Sequence, residues 1–575
     1  MNPRVYRSLA ACAISLAAIS TLIGCAKKEA APVAATAPPT CPGDNGGLTL
    51  SPGFCATIFA DGIGHVRHMA VSSDGVLYVN TWSGQYFGFD KPHDGGFLVA
   101  LKDNDGDGKA DVIERFGDSV AEKATGGVGL ALYNGALYAE QNDYILRFAL
   151  TPGNPVPQGK PEKVLTGLPQ TGDHPMHPFV IDSTGNIFIN SGSGSNACEK
   201  PARAPGAKGQ KPCPELATRA GIWKYDAKQV AQKWSAKNRY ITGLRNSGGQ
   251  SFDATGRLFA VQHGRDQLPE SFPKLYTMDA GHELPSEVLV EVKEGGDYGW
   301  PTCYYDPLLK SLVLAPEYGG DGKTIGDCAN KAPPVAAFPA HFAPDDVAIY
   351  NGTQFPPAWR GGAFVAFHGS WNRAPGPQGG YSVGFQPMAD GKTTGDWVVF
   401  ADGFAGAEKA PGRAAARPAG LAVGPDGALY VSEDQKGRIW RITHLEGGST
   451  AIAAAPAPAP VAVAAVSIDS LTVPPGSSAE QLALGEKIFH GQAASGTCAG
   501  CHGSDGGGSQ IGANLTDAMW LWSDGSVKGI KGTIEKGVTA AKQSIGAMPP
   551  LGGAPLQPAD VDAVAAYVWA LSHHK

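Results

Sequence analysis

Over most of the chain, apolar and polar residues alternate in short runs broken by glycine turns, the period-two pattern of half-buried β-strands. One unit, an apolar run, a turn with glycine and an alternating strand, recurs six times. The copies are MAVSSDGVLYVN (69–80), LALYNGALYAE (130–140), FVIDSTGNIFIN (179–190), SFDATGRLFAV (251–261), FPPAWRGGAFVAF (355–367) and LAVGPDGALYVS (421–432), the fifth being the loosest match. Each predicts two strands around a tight turn whose glycine supplies positive φ. Repeated hairpins at unequal spacing predict blades with insertions, hence an all-β six-bladed β-propeller. Helical periodicity takes over near the C-terminus, in LALGEKIFHG (482–491) and VDAVAAYVWALSHH (561–574), which predicts a small all-α domain.

Two Ala/Pro-rich stretches interrupt the pattern. Such sequence favours extended conformations and buries no core. The chain therefore divides into a signal segment (1–25), a stalk (26–47), a propeller body (48–444), a linker (445–478) and a helical domain (479–575). In the first segment, Arg4 and Arg7 precede an apolar run, Leu9 to Ile23, that is short for a bilayer span. It ends in Leu22-Ile23-Gly24-Cys25, which resembles a bacterial lipobox. The resemblance implies cleavage before Cys25, lipid on its thiol and an exported, periplasmic protein anchored to a membrane.

Gly 78, Pro 45 and only 17% charged residues agree with a turn-rich β protein. The net charge of −7 gives no basic footprint and argues against a nucleic-acid partner. Of ten cysteines, Cys12 leaves with the signal and Cys25 takes lipid. Cys498 and Cys501 stand in GTCAGCHG (496–503), where C-x-x-C-H places two thiols and an imidazole on one helical turn. That is the attachment chemistry of haem c, with His502 on the iron. Met548 in GAMPPLGG is the expected sixth ligand, on a loop stiffened by prolines, and Met519 is its competitor. The region resembles a class I cytochrome c domain. Six cysteines remain, and an even remainder in an exported chain favours disulfides. Fifteen connectivities are open to them. Pairing of sequence neighbours gives Cys41–Cys55, Cys198–Cys213 and Cys303–Cys328.

A haem at the end of a chain implies an electron source earlier in it. The segments GLRNSGGQSFDATG (243–256), HGRDQLPE (263–270), EGGDYGWPTCY (294–304), FHGSWNR (367–373) and RPAGLAVGPDGALYVSED (417–434) resemble the pyrroloquinoline quinone-dependent sorbosone and aldose dehydrogenases, six-bladed propellers similar to soluble glucose dehydrogenase. The resemblance implies an enzyme that takes hydride from a sugar or related aldehyde or alcohol onto the quinone. Electrons would pass singly to the haem, then to an external cytochrome, oxidase or quinone pool. A cofactor with three carboxylates calls for cationic and amide donors, and the resemblance points to Arg67, Arg245, Asn246, Arg373 and Arg417. It implies a histidine base, His174 or His177, and calcium bridging the cofactor to the backbone carbonyls of Gly264 and Arg265. The chain departs from the glucose dehydrogenase branch at Ser193, Ala419 and Ala124, where that branch carries an aspartate, an arginine and a glutamine. A separate run, Asp103, Asp105, Asp107 and Glu114, fits the D-x-D-x-D-G calcium-loop spacing on a hairpin. Two other classes fit parts of the pattern: a non-catalytic binding propeller with an electron-transfer haem, and a calcium-dependent propeller lactonase.

Overall fold

The computed structural model describes residues 40–573 apart from 82–92, 119–126, 374–377, 411–412, 458–467, 495, 497, 503–505, 509–511, 518 and 539–547. The signal segment with Cys25, most of the stalk, and Ala124 therefore lie outside the described residues.

Residues 49–444 form six blades of four antiparallel strands in up-and-down order, two of which gain a short fifth edge strand: Gln232–Lys233, parallel, in blade 2 and Thr49–Leu50 in blade 5. Blade 1 is Val66–Val71, Leu77–Thr81, Leu98–Lys102 and Val112–Phe116. The inner strands of blades 2 to 6 are Leu130–Tyr133, Phe179–Ile181, Gln250–Phe252, Pro344–Ile349 and Pro418–Val423. The ring closes by mixing the two ends of the body. Phe54–Ala60 pairs with Ile439–His444 as the outer strand of blade 6, with Phe54 opposite His444.

The glycine turns do what their sequence demands. In the inner hairpins of blades 3 and 4, Gly185 and Gly256 sit at φ 94° and 87°. Asp182 Oδ1 accepts from Thr184 N and Asn186 N, and Asp253 Oδ1 from Thr255 N and Arg257 N, so each aspartate ties its own turn. Five of the six sequence units coincide with such hairpins. In blade 5 the inner strand is Pro344–Ile349, upstream of the unit at 355–367, which covers only the connection and the second strand, Ala363–Phe367.

Apolar faces pack from blade to blade. Between blades 5 and 6, Phe54 meets Phe355, Trp359 and Phe400 edge-on at centroid distances of 4.8, 5.0 and 4.9 Å. Disulfides join Cys41–Cys55, Cys198–Cys213 and Cys303–Cys328.

The C-terminal domain has helices Ala479–Phe489, Cys498–His502, Val527–Lys536 and Pro558–Ser572. The first begins with a capping box between Ser478 and Gln481. It crosses the last helix closely at Gly485, where a Cβ would lie 2.0 Å from the Ala563 carbonyl oxygen. Leu482, Ile488, Phe489, Ile530, Ile534, Val564 and Leu571 form its core. Leu471, in the sequence-defined linker, is buried in that core too, so the packed body starts before 479. Among the described residues no helix is long and apolar enough to cross a membrane.

Candidate cofactor site and haem pocket

Every blade repeats one strand order, so the start of each inner strand falls at the same end of the central channel. That mouth collects Arg67 and His68 from blade 1, His174 before blade 3, Arg245 and Asn246 before blade 4, Asp345 in blade 5 and Arg417 before blade 6. Inner-strand register shifts lie between Val66 and Met69, Pro344 and Asp346, and Pro418 and Leu421. Bulges re-aim side chains, so neighbours such as Arg67 and His68 both line the channel instead of alternating.

Two ion-pair networks brace this mouth. In the first, Asp266 Oδ2 accepts from Arg245 Nη2 at 2.7 Å and Arg203 Nη2 at 3.1 Å, and Oδ1 accepts from Asn372 Nδ2 at 2.7 Å. Asp173 accepts from the same Arg203 Nη2 at 2.7 Å. Burial disfavours a charged Asp266, but Arg245 and Arg203 outweigh it and hold the carboxyl well below its usual range. In the second, Arg67 pairs with Asp434 at 2.8 Å and Asp345 at 3.2 Å. His368 Nε2 lies 2.9 Å from Asp434, and His263 Nε2 3.2 Å from Asp345. Burial opposes ionisation of Asp434, yet His368 and Arg67 bring its pKa down to about 2. Ligand atoms of Asp345, His368 and Asp434 lie within 4.8 Å of one another, but Arg67 pairs with both carboxylates. The cluster therefore houses a guanidinium, not a divalent cation.

The two candidate bases separate cleanly. His177 is fully buried, its Nδ1 is 2.9 Å from Glu140 Oε1, and its ring meets Trp234 edge-on, in the core between blades 2 and 3. Glu140 also accepts from the amides of Val128, Gly129 and His177. His174 Nδ1 lies 2.9 Å from the Ser193 carbonyl oxygen, which fixes Nδ1 as the donor and leaves Nε2 as the acceptor. The orienting groups at Ser193 are thus its main-chain carbonyl and its hydroxyl oxygen, the latter 3.1 Å from Nδ1. A Cβ on Gly192 would lie 2.5 Å from His174 Cβ and 2.8 Å from Asn246 Oδ1, so glycine lets these two side chains share the mouth. Burial, then Arg245, lowers the His174 pKa to about 3.

Arg417 is 5% exposed. It donates to the carbonyls of His368 at 3.0 Å and Gly369 at 2.7 Å and lies over the Tyr381 ring at 5.4 Å. Among the described residues no carboxylate pairs with it. Asn246 is 5% exposed and lines the cavity at this end. This donor set, a buried guanidinium with no carboxylate partner among the described residues and a buried amide at the same end of the channel, fits a carboxylate-rich cofactor. Arg373 is tied instead to the carbonyls of His282 and Ala340 and to Glu283. The signal that would have found its partners, or Asp266, is absent from sequence, because single acids on loops have no period.

The calcium expectations fare differently. The Gly264 carbonyl accepts from Arg245 Nη1 at 2.9 Å, and Arg265 is paired with buried Glu317. A cation already faces the carbonyl assigned to calcium, so Gly264 and Arg265 as arranged do not fit the ion. In the acidic hairpin loop, Asp103, Asp105 and Asp111 come together, while Asp107 and Glu114 stand outside that group. Asp103 accepts from Gly106 N and Gly108 N, and Asp111 from Asn104 N, so the carboxylates close the loop on its own backbone.

In the helical domain, Cys498 and Cys501 take part in none of the three disulfides. His502 Nδ1 lies 2.8 Å from the Ala513 carbonyl oxygen, which leaves Nε2 to face a metal. Met548 is held by paired backbone hydrogen bonds with Val538 and packs, with Cys498, against the domain core. Met519 is 59% exposed. These residues fit a covalently bound haem, which Cys498 and Cys501 would anchor and His502 and Met548 would ligate.

A six-bladed ring with a guanidinium-rich mouth, followed by helices around a C-x-x-C-H turn, defines a propeller of the quinone-dependent sugar dehydrogenase type fused to a cytochrome c. Residues 48–445 match the TrAA12-like family and residues 482–572 match cytochrome c; the chain belongs to the TrAA12-like family. A pyrroloquinoline quinone-dependent pyranose dehydrogenase of Coprinopsis cinerea is 26% identical over 247 residues, 36% of this chain and 31% of that protein. The cbb3-type cytochrome c oxidase subunit CcoP of Rubrivivax gelatinosus is 41% identical over 93 residues, 16% of this chain and 27% of that one. The chain thus spans about a third or less of these relatives. A solved Trichoderma reesei carbohydrate-active enzyme of family AA12 superposes with TM-score 0.55 at 20% identity, covering 69% of this chain and 98% of that one. The holo pyranose dehydrogenase PQQ domain from Coprinopsis cinerea gives 0.53 at 20%, covering 69% and 97%. These likenesses establish the fold.

Proposed function

We propose that the chain is an exported quinohaemoprotein that oxidises a sugar or related aldehyde or alcohol and passes the electrons through its own haem to an external acceptor. The reading is supported by family membership and carried by one observation: a buried guanidinium, Arg417, with no carboxylate of its own among the described residues, at the mouth shared with Asn246. Pyrroloquinoline quinone, when bound, supplies a hydride acceptor that re-oxidises in one-electron steps. Arg417, Asn246 and Arg67 would hold its carboxylates. The enclosed space beside Arg67 and Asn246 is about 20 Å³.

His174 acts as the base in this reading. Its Nδ1–H is held by Ser193, and Nε2 receives the hydroxyl proton as hydride leaves carbon. Low basicity keeps the imidazole unprotonated in the resting site, and Arg245 then drives the proton off again. His177, sealed against Glu140, holds the chain between blades 2 and 3. No step runs through calcium. A lipid on Cys25 would keep the protein at a membrane, near its acceptor.

The test is anaerobic addition of aldoses, ketoaldoses and alcohols to protein reconstituted with the quinone, watching the haem absorbance. Substrate-driven haem reduction is expected. Failure of the propeller to take up quinone would refute the reading, and turnover of lactones without an acceptor would favour a hydrolase.

A further inference from the structure

Behind the mouth, the channel widens into a cavity of about 510 Å³ lined by inner-strand residues of blades 1 to 6. It reaches Asn351, Gly352, Thr353, Gly424 and Pro425, which follow the inner strands of blades 5 and 6, so it leads toward the face opposite the cofactor mouth. Its polar lining includes Gln250, whose Oε1 is buried with no partner among the described residues. A roomy cavity with an unsatisfied buried acceptor is a place for water.

One wall is common to both spaces. His68 lines the small cavity with Arg67, Asn246 and Asp345, and also lines the large one with Asp346. The bulge in the inner strand of blade 5 explains how consecutive aspartates serve both. Asp345 faces Arg67, His263 and His368. Among the described residues Asp346 has no such partner: its oxygens accept the amides of Val347 and Leu421, each at 2.8 Å. From blade 4, Gly249 presses on Asp346, where a Cβ would lie 2.3 Å from Oδ1.

We propose that His68 and Asp346 carry protons from the cofactor end of the channel into the water-holding cavity behind it. The inference rests on the dehydrogenase reading. Oxidising a hydroxyl-bearing carbon to a carbonyl breaks one C–H and one O–H bond. In that reading the two electrons would leave one at a time, through the haem to the external acceptor, and two protons must leave as well. The mouth is where cofactor and substrate sit, so the channel behind it offers a separate exit. His68 lines both spaces. Asp346 can take a proton because burial lifts its pKa to about 6, with His68 opposing that rise and Asp345 adding to it. A carboxyl fixed as an ion by arginine, such as Asp345, could not. A purely structural role would make Asp346 a tie between blades 5 and 6, indifferent to proton flux.

The experiment compares wild-type, Asp346→Asn, Asp346→Glu and His68→Gln holoproteins. In wild type, haem reduction after substrate addition should slow below about pH 6 and show a solvent deuterium isotope effect. Asp346→Asn and His68→Gln should slow it on the order of tenfold or more, and a small weak acid such as formic acid entering the cavity should restore speed to Asp346→Asn. Glu at 346 should retain the pH limb. In quinone-free protein, infrared difference spectra should show a carboxylic acid band that titrates near pH 6 and vanishes in Asp346→Asn. An unchanged rate and pH profile in both variants, or no such band in wild type, overturns the proposal. Absence of any substrate-driven haem reduction in wild type would sink the dehydrogenase reading instead, while the infrared titration still decides whether Asp346 exchanges protons. Should Asp346→Asn fail to fold, His68→Gln and the wild-type band decide it.

Discussion

His174 offers the sharpest test of the site, because its setting and that of an ordinary histidine predict different acid limbs. With the pKa brought down to about 3, roughly 99% of His174 is neutral at pH 5; with an unperturbed value near 6.5, only about 3% would be. The two cases differ about thirtyfold in base-competent enzyme at that pH. The step to measure is reduction of the quinone by substrate, before electrons reach the haem, followed by stopped flow from pH 4 to 8 with substrate deuterated at the reacting carbon. The expected profile for this step is flat down to about pH 4. His174→Gln should lose about 10²- to 10⁴-fold at every pH, the usual contribution of a positioned base. His177→Gln should leave the profile flat and lower folding stability, because Glu140 loses its imidazole partner. An acid limb near 6.5 in wild type that vanishes in His177→Gln would refute the reasoning and place the base one turn of the loop away.

Other outcomes follow from the same geometry. Arg417→Ala should weaken quinone binding about 10- to 100-fold, the worth of a charge-assisted hydrogen bond, measured by titrating quinone-free protein; unchanged affinity would remove the main support for the cofactor site. Phe54→Ala should cost about 3–5 kcal/mol in denaturant unfolding, since it empties the aromatic seam between blades 5 and 6; a loss under 1 kcal/mol would mean that the closing strand is held by its backbone alone. Asp346, with its pKa raised to about 6 in the fold against about 3.8 unfolded, binds its proton more tightly when native, so its contribution falls as pH rises between those values. Asp346→Asn should abolish that slope, up to about 3 kcal/mol across the window; parallel stability curves would contradict it. Met548→Ala should open the sixth haem position to added imidazole, seen as a shifted haem spectrum, and a spectrum indifferent to both changes would assign the ligand elsewhere.

The sequence made the hairpins legible because turn chemistry is local: Asp182 and Asp253 bind the amides two and four residues on, and a glycine completes each turn. The inner strand of blade 5 escaped because FAPDDVAIY breaks alternation, and the cause is the bulge at Asp345 that re-aims two buried acids. Arg245, Arg373 and Arg67 were visible as cations, but not the carboxylates and carbonyls that hold them, since those come from loops far along the chain. The calcium expectation at Gly264 likewise took no account of Arg245, which donates to that carbonyl. Choosing between His174 and His177 needed the direction of each ring, which only Ser193, Glu140 and Trp234 reveal.

Because Phe54 pairs with His444, the ring is clasped where the body both begins and ends. During synthesis the sixth blade must wait, its rim unpaired, until nearly four hundred residues have emerged. Trimming the front of the body past Phe54 would unfasten the whole circle, whereas a cut that removes the haem domain but keeps Ile452 to Ala455, which pack and hydrogen-bond on the seam, would spare it. The chain before Phe54 and the chain after His444 thus adjoin one strand pair.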